Sequence, residues 1–140
     1  MIVLDTDHLT AFAFPESAEY ESLSAKIRKS PEEFGTTIVC LEEQLRGWLA
    51  AIKRKHDLSD QVPVYHRLGR LWEFFGAWRI LPFDNSAADL CKTFRKQKIR
   101  IGSQDLKIAA IAVTCDARLL SGNLRDFCRI PGLRVENWLE

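Results

Sequence analysis

Apolar positions along the chain fall into short runs and longer periodic stretches. Residues 2–5 (IVLD), 34–39 (FGTTIV), 79–82 (RILP), 118–121 (RLLS) and 133–135 (LRV) are short apolar runs bounded by turn or cap residues, which predicts strands. Leu41, Leu45, Trp48, Leu49 and Ile52 recur with helical spacing, which predicts an amphipathic helix over 41–52. Residues 62–78 repeat the pattern with Tyr65, Leu68, Leu71, Phe75 and Trp78. Residues 86–98 carry Ala87, Leu90, Cys91 and Phe94 on one face, with Lys92, Arg95 and Lys96 elsewhere. Residues 104–115 are apolar nearly all round after Lys107, as in a helix buried on several sides, with Ser103 the expected N-cap. Pro15 and Pro31 punctuate the N-terminal helical region. Strands alternating with helices predict an α/β fold around a parallel sheet. With no internal repeat or linker, residues 1–140 read as one domain.

Composition narrows the function classes. With 46% hydrophobic residues in 140, the chain can bury a full core. The net charge of +1 gives no global field to recruit nucleic acid, so such binding needs a local basic patch or a bound metal. Cys40, Cys91, Cys115 and Cys128 form no C-x-x-C motif, which fits reduced, mostly buried thiols of a cytoplasmic protein. No apolar run approaches the roughly 18 residues of a membrane span. The opening MIVLD lacks a basic leader, so secretion is not expected.

Most of the nineteen Asp and Glu fit solvated faces; four segments do not. Asp5 ends an apolar strand, where ligands bind in parallel α/β sheets and an unpaired acid is costly. A helix cap is the competing role, for which Asp7 is the better placed. Glu43 follows strand 34–39, with Gly47 and Ala50 beneath it. That small-residue track predicts close approach by another element, and Glu42 is the rival acid. Asp105 opens the most buried helix, where a dipole-favoured acid is the alternative. Asp126 follows strand 118–121 in LLSGNLRDF, where a turn role competes. If the strands are parallel, all four converge on one sheet edge. Clustered carboxylates must be protonated or neutralised by cations, and an all-oxygen set suits Mg²⁺ or Mn²⁺.

Four motifs in this order resemble those of PIN-domain ribonucleases, in particular VapC-type toxins of toxin–antitoxin pairs. VLDTD matches the opening hydrophobic–Asp–Thr–Asp/Asn. IVCLEEQLRG matches T-h-x-E-x-x-x-G, with Cys40 for the usual Thr, and puts the family acid on Glu43. IGSQDLKIAA marks Asp105, and LSGNLRDFCRIPGLRVENW marks Asp126. The last departs at Ser121-Gly122 and Leu124, where Thr is common, but loses no acid. The resemblance spans essentially the whole chain. It implies an α/β/α sandwich with a short central parallel sheet and Mg²⁺- or Mn²⁺-dependent RNA cleavage. It also implies a homodimer and a cognate antitoxin.

On that resemblance Asp5, Glu43 and Asp105 form the metal cage, and Asp126 completes it or orients water. Asn123 bonds an acid or the RNA, and Arg125 is the nearest cation in sequence. Asp7 is a cap or outer acid. His8 is expected in a surface or capping role. The run KTFRKQKIR, 92–100, has five basic residues and no acid; it is either a solvated face or a phosphate contact. The aromatics of LWEFFGAW read as core and dimer packing. A haloacid-dehalogenase-like phosphatase shares a D-x-D at strand one, but Leu9 stands where it needs Thr or Val, and its later paired acids are missing. A PIN fold that only binds a partner is the non-enzymatic alternative.

Overall fold

The computed structural model describes all 140 residues. Five short strands, β1 (Ile2–Leu4), β2 (Phe34–Thr37), β3 (Arg79–Leu81), β4 (Arg118–Leu120) and β5 (Arg134–Glu136), form one all-parallel sheet in the order β3-β2-β1-β4-β5. Helices α1 (Thr6–Ala13), α2 (Tyr20–Lys29), α3 (Ile38–Arg54), α4 (Leu58–Gly76), α5 (Asn85–Lys96), α6 (Ser103–Thr114) and the short α7 (Leu124–Phe127) connect the strands. The parallel α/β sheet is the one the alternation predicts, and the α/β/α sandwich is the one the resemblance implies.

The order reverses at β1. The chain builds outward through β2 and β3, then returns to place β4 on the other flank, with Leu4 in register with Leu120. Such a switch point opens a crevice at the carboxyl ends of the two central strands. Ile2, Val3, Leu4, Leu119 and Leu120 have no exposed surface, as a sheet covered on both faces requires. Helix α6 is the most buried: Leu106 and residues 108–112 all lie in the core. Its alanines at 109, 110 and 112 allow close packing.

Local chemistry moves several boundaries. Ile38 and Val39, expected in β2, start α3 instead, because the Thr37 hydroxyl accepts from the Cys40 amide and caps the helix. Asp5, expected inside β1, is the N-cap of α1, accepting from the Thr6 amide at 2.7 Å. Ser103 is the first helical residue of α6 rather than its cap; Gly102 takes that position. Gly47 has no neighbour in the way of a Cβ, so the expected close approach to α3 is not found. Of the small-residue track, Gly47 instead lines an open groove beside Thr6, Glu43, Trp48 and Arg54. Only Cys40 and Cys91 are buried; Cys115 and Cys128 are exposed, because they follow the end of α6 and the end of α7. Leu71 and Phe75 join the core and Trp78 packs against Phe12 and Phe74, whereas Trp72 stays 63% exposed.

Candidate active site

The crevice at the β1–β4 switch gathers the four acids. Asp5 follows β1, Glu43 lies on the second turn of α3, Asp105 on the first turn of α6 and Asp126 on α7. Ser121, directly after β4, donates from its hydroxyl to Asp5 Oδ2 at 2.7 Å. The Thr6 hydroxyl donates to Glu43. The Asn123 amide nitrogen donates to Asp105 Oδ2 and Asp126 Oδ2, each at 3.1 Å, using both of its hydrogens. Asn123 was expected to bond an acid or RNA; it bonds two acids.

Electrostatics mark the same edge. Burial pushes the Asp5 carboxyl up to about 6; the Ser121 and Thr6 bonds oppose this, and the charges of Asp7 and Asp105 add to it. Asp105 is also raised, by burial and then by Glu43, with Asp126 and Asp7 contributing. The four acids therefore feel one another directly or through Asp105. Glu42 turns away from them. It pairs with Arg46 at 2.5 Å and accepts from Gln104 at 2.9 Å.

Cys40 lies beneath the site, its Sγ 3.9 Å from Asp5 Oδ1. Burial, then the Asp5 charge, pushes its thiol up to about 12, so it stays protonated. Arg125 is exposed at the rim and makes no ion pair. Lys92, Arg95, Lys96, Lys98 and Arg100 are exposed along the end of α5 and the loop leading to Asp105.

Two expectations change. Asp7 does not cap α1, since Asp5 does; it accepts from the His8 ring and from the Gly122 amide. Burial pushes its carboxyl up, but the bonds from the His8 ring, the Gly122 amide and the His8 amide, with the adjacent His8 ring, together hold it below the usual carboxylate range. His8 is fully buried rather than a surface residue. Thr6 and Ser121 are the contributors that sequence reasoning passed over. The Thr of DTD and the Ser at the family's Thr position were the available signals.

The donor set is oxygen throughout, and two of its acids are raised by burial and by their neighbours. Both features fit a hard divalent cation. No three His, Cys, Asp or Glu side chains converge on a ready-made coordination point.

No family model matches the chain. Solved structures define the class of fold. The chain superposes on VapBC-1 from nontypeable Haemophilus influenzae with a TM-score of 0.76 at 18% identity, covering 100% of both chains. It superposes on DNA-bound VapBC from Salmonella typhimurium at 0.74 and 20% identity, covering 98% of this chain and 97% of the other. The fold is that of VapC-type PIN domains. Sequence adds local relatives. The chain is 43% identical over 60 residues to Ribonuclease VapC1 of Rickettsia felis, 40% of this chain and 45% of the relative. It is 33% identical over 69 residues to the tRNA(fMet)-specific endonuclease VapC of Salmonella typhimurium, 46% of this chain and 52% of the relative. The matched stretches thus span about half the length of these curated relatives.

Proposed function

We propose that the chain is a Mg²⁺- or Mn²⁺-dependent endoribonuclease, the toxin of a toxin–antitoxin pair. The observation that carries this reading is the meeting of Asp5, Glu43, Asp105 and Asp126 at the switch-point crevice, with Asp5 and Asp105 raised by burial and neighbouring acids. A divalent cation bound there supplies charge neutralisation at a scissile phosphate and activation of water. The protein's own part is to aim the carboxylates. Ser121 and Thr6 fix Asp5, the Thr6 hydroxyl steers Glu43, and Asn123 holds Asp105 beside Asp126. Arg125 and the 92–100 cations counter the repulsion of RNA by the acids.

The similarity to VapC ribonucleases and to VapBC complexes supports both the reaction and a cognate antitoxin partner. A homodimer belongs to the same reading. Ile38, Leu49, Val62, Tyr65 and Trp72 leave an apolar face on α3 and α4 for such partners. No helix is long and apolar enough to cross a membrane. The phosphatase alternative needs Asp7 as a free acid, and both of its oxygens are occupied.

The test is cleavage of total cellular RNA with Mg²⁺ and with chelator. Magnesium-dependent cuts at defined positions are expected, lost in Asp105→Asn. Equal cleavage by that variant contradicts the site.

A further inference from the structure

The 121–123 turn is the joint of the site, since Ser121 holds Asp5 and Asn123 holds Asp105 and Asp126. Between them the Gly122 amide donates to Asp7 Oδ2 at 2.7 Å. A Cβ on residue 122 would stand 2.8 Å from that oxygen, so glycine is what lets the turn close on Asp7. The other Asp7 oxygen accepts from the His8 backbone amide at 2.6 Å and lies 2.8 Å from His8 Nδ1.

His8 uses both ring nitrogens. Its Nε2 accepts from the Trp138 backbone amide at 2.9 Å. An accepting Nε2 leaves the ring proton on Nδ1, which therefore donates to Asp7. Trp138 is tied down in turn. Lys26 Nζ donates to the carbonyls of Trp138 at 2.8 Å and Glu140 at 2.9 Å. The Trp138 indole donates to Glu136 at 2.8 Å. The segment after β5 is thus docked on α1 and α2, with His8 between it and the acid edge.

We propose that His8 is a positioning residue that couples the docked C-terminal segment to the acid site. It orients Asp7, Asp7 holds the 121–123 turn, and the turn sets Asp5, Asp105 and Asp126. The inference rests on the cation-site reading above. It adds a residue that touches neither substrate nor ion; groups bonded directly to metal ligands typically change metal affinity about 10–100-fold, and His8, further out, is set at the low end of that range.

The test measures Mn²⁺ affinity, melting temperature in chelator, and amide exchange at Gly122 and Trp138. His8→Leu is expected to weaken Mn²⁺ binding about tenfold and to speed Gly122 exchange. His8→Asn, which keeps an amide donor facing Asp7 but loses the bond to the Trp138 amide, is expected to restore both only in part and to leave the Trp138 amide unprotected. Gly122→Ala changes an exposed turn; it is expected to weaken Mn²⁺ binding similarly, with a smaller fall in melting temperature than His8→Leu shows. The double variant His8→Leu/Gly122→Ala is expected to be no weaker than the worse single one. Unchanged Mn²⁺ affinity in His8→Leu and Gly122→Ala, equal behaviour of His8→Leu and His8→Asn, or losses that multiply overturn the proposal. If His8→Leu does not fold, His8→Asn and Gly122→Ala decide alone. If the wild-type chain neither binds Mn²⁺ nor cleaves RNA, the nuclease reading fails. Gly122 exchange then decides separately whether His8 holds the turn.

Discussion

The Ser121 hydroxyl donates at 2.7 Å to Asp5 Oδ2 from a position 116 residues further along the chain. The bond joins the ends of the two central strands. It also opposes the burial that raises the Asp5 carboxyl. Replacing Ser121 with Ala removes a donor to an ionised group, which costs about 2 kcal/mol. Ser121→Ala is therefore expected to weaken Mn²⁺ binding more than tenfold at neutral pH, and Ser121→Thr to retain it. Calorimetric titration of the three proteins checks this, and equal affinities would count against the bond's role.

The raised Asp5 carboxyl makes the metal-free protein less stable as pH rises. Below pH about 4 the group is protonated in folded and unfolded chains alike. Between about 4 and about 6 the unfolded chain loses its proton first, so stability falls through that window. The loss is about 3 kcal/mol, with Asp105 acting in the same sense. Asp7, Glu42 and Glu136 are held below their ordinary values and act oppositely, at lower pH. Melting temperatures in chelator are expected to drop from pH 4 to pH 6.5, and Mn²⁺ is expected to recover the loss at pH 7. A rise across the window would contradict the assignment.

Asn123 is the neutral group among the acids at Asp105 and Asp126. Asn123→Asp exchanges two donated bonds for a further negative charge. The variant is expected to melt lower than wild type in chelator, by an amount that shrinks when salt or Mn²⁺ is added. A salt-independent difference would point to packing instead of charge.

Thiol chemistry separates the cysteines. Cys115 and Cys128 are exposed, whereas Cys40 is buried with its thiol pushed up to about 12. An alkylating reagent is expected to label two thiols in the folded protein at pH 8 and four after denaturation. Early labelling of Cys40, with loss of Mn²⁺ binding, would show that the floor beneath Asp5 is open.

Periodicity along the chain was enough to reveal a parallel α/β sheet, whereas the order of its strands was not legible. Five strands and the major helices lie near their expected places because short apolar runs and helical stripes are local signals. The errors sit where a side chain competes with that signal. Ile38 and Val39 extend an apparent strand by type, but the Thr37 cap turns them into helix. The four acids were legible because each lies in its own motif. Their supports were not. Asp7 and His8 meet partners 115 and 130 residues away, and no local pattern encodes such contacts. Gly47 was misread for a related reason: a small residue on a helix face marks either a close neighbour or an open groove, and only the packing distinguishes them.

The proposed function stands on Asp5, Glu43, Asp105 and Asp126 forming one cation site. Mn²⁺ titration of the wild-type chain and of Asp5→Asn, Glu43→Gln, Asp105→Asn, Asp126→Asn and Glu42→Gln tests it most directly. Each of the first four substitutions is expected to weaken binding at least about tenfold. Glu42→Gln, whose side chain faces Arg46 and Gln104, is predicted to bind as wild type does. Failure of the wild-type chain to bind, or equal loss in Glu42→Gln, would contradict it.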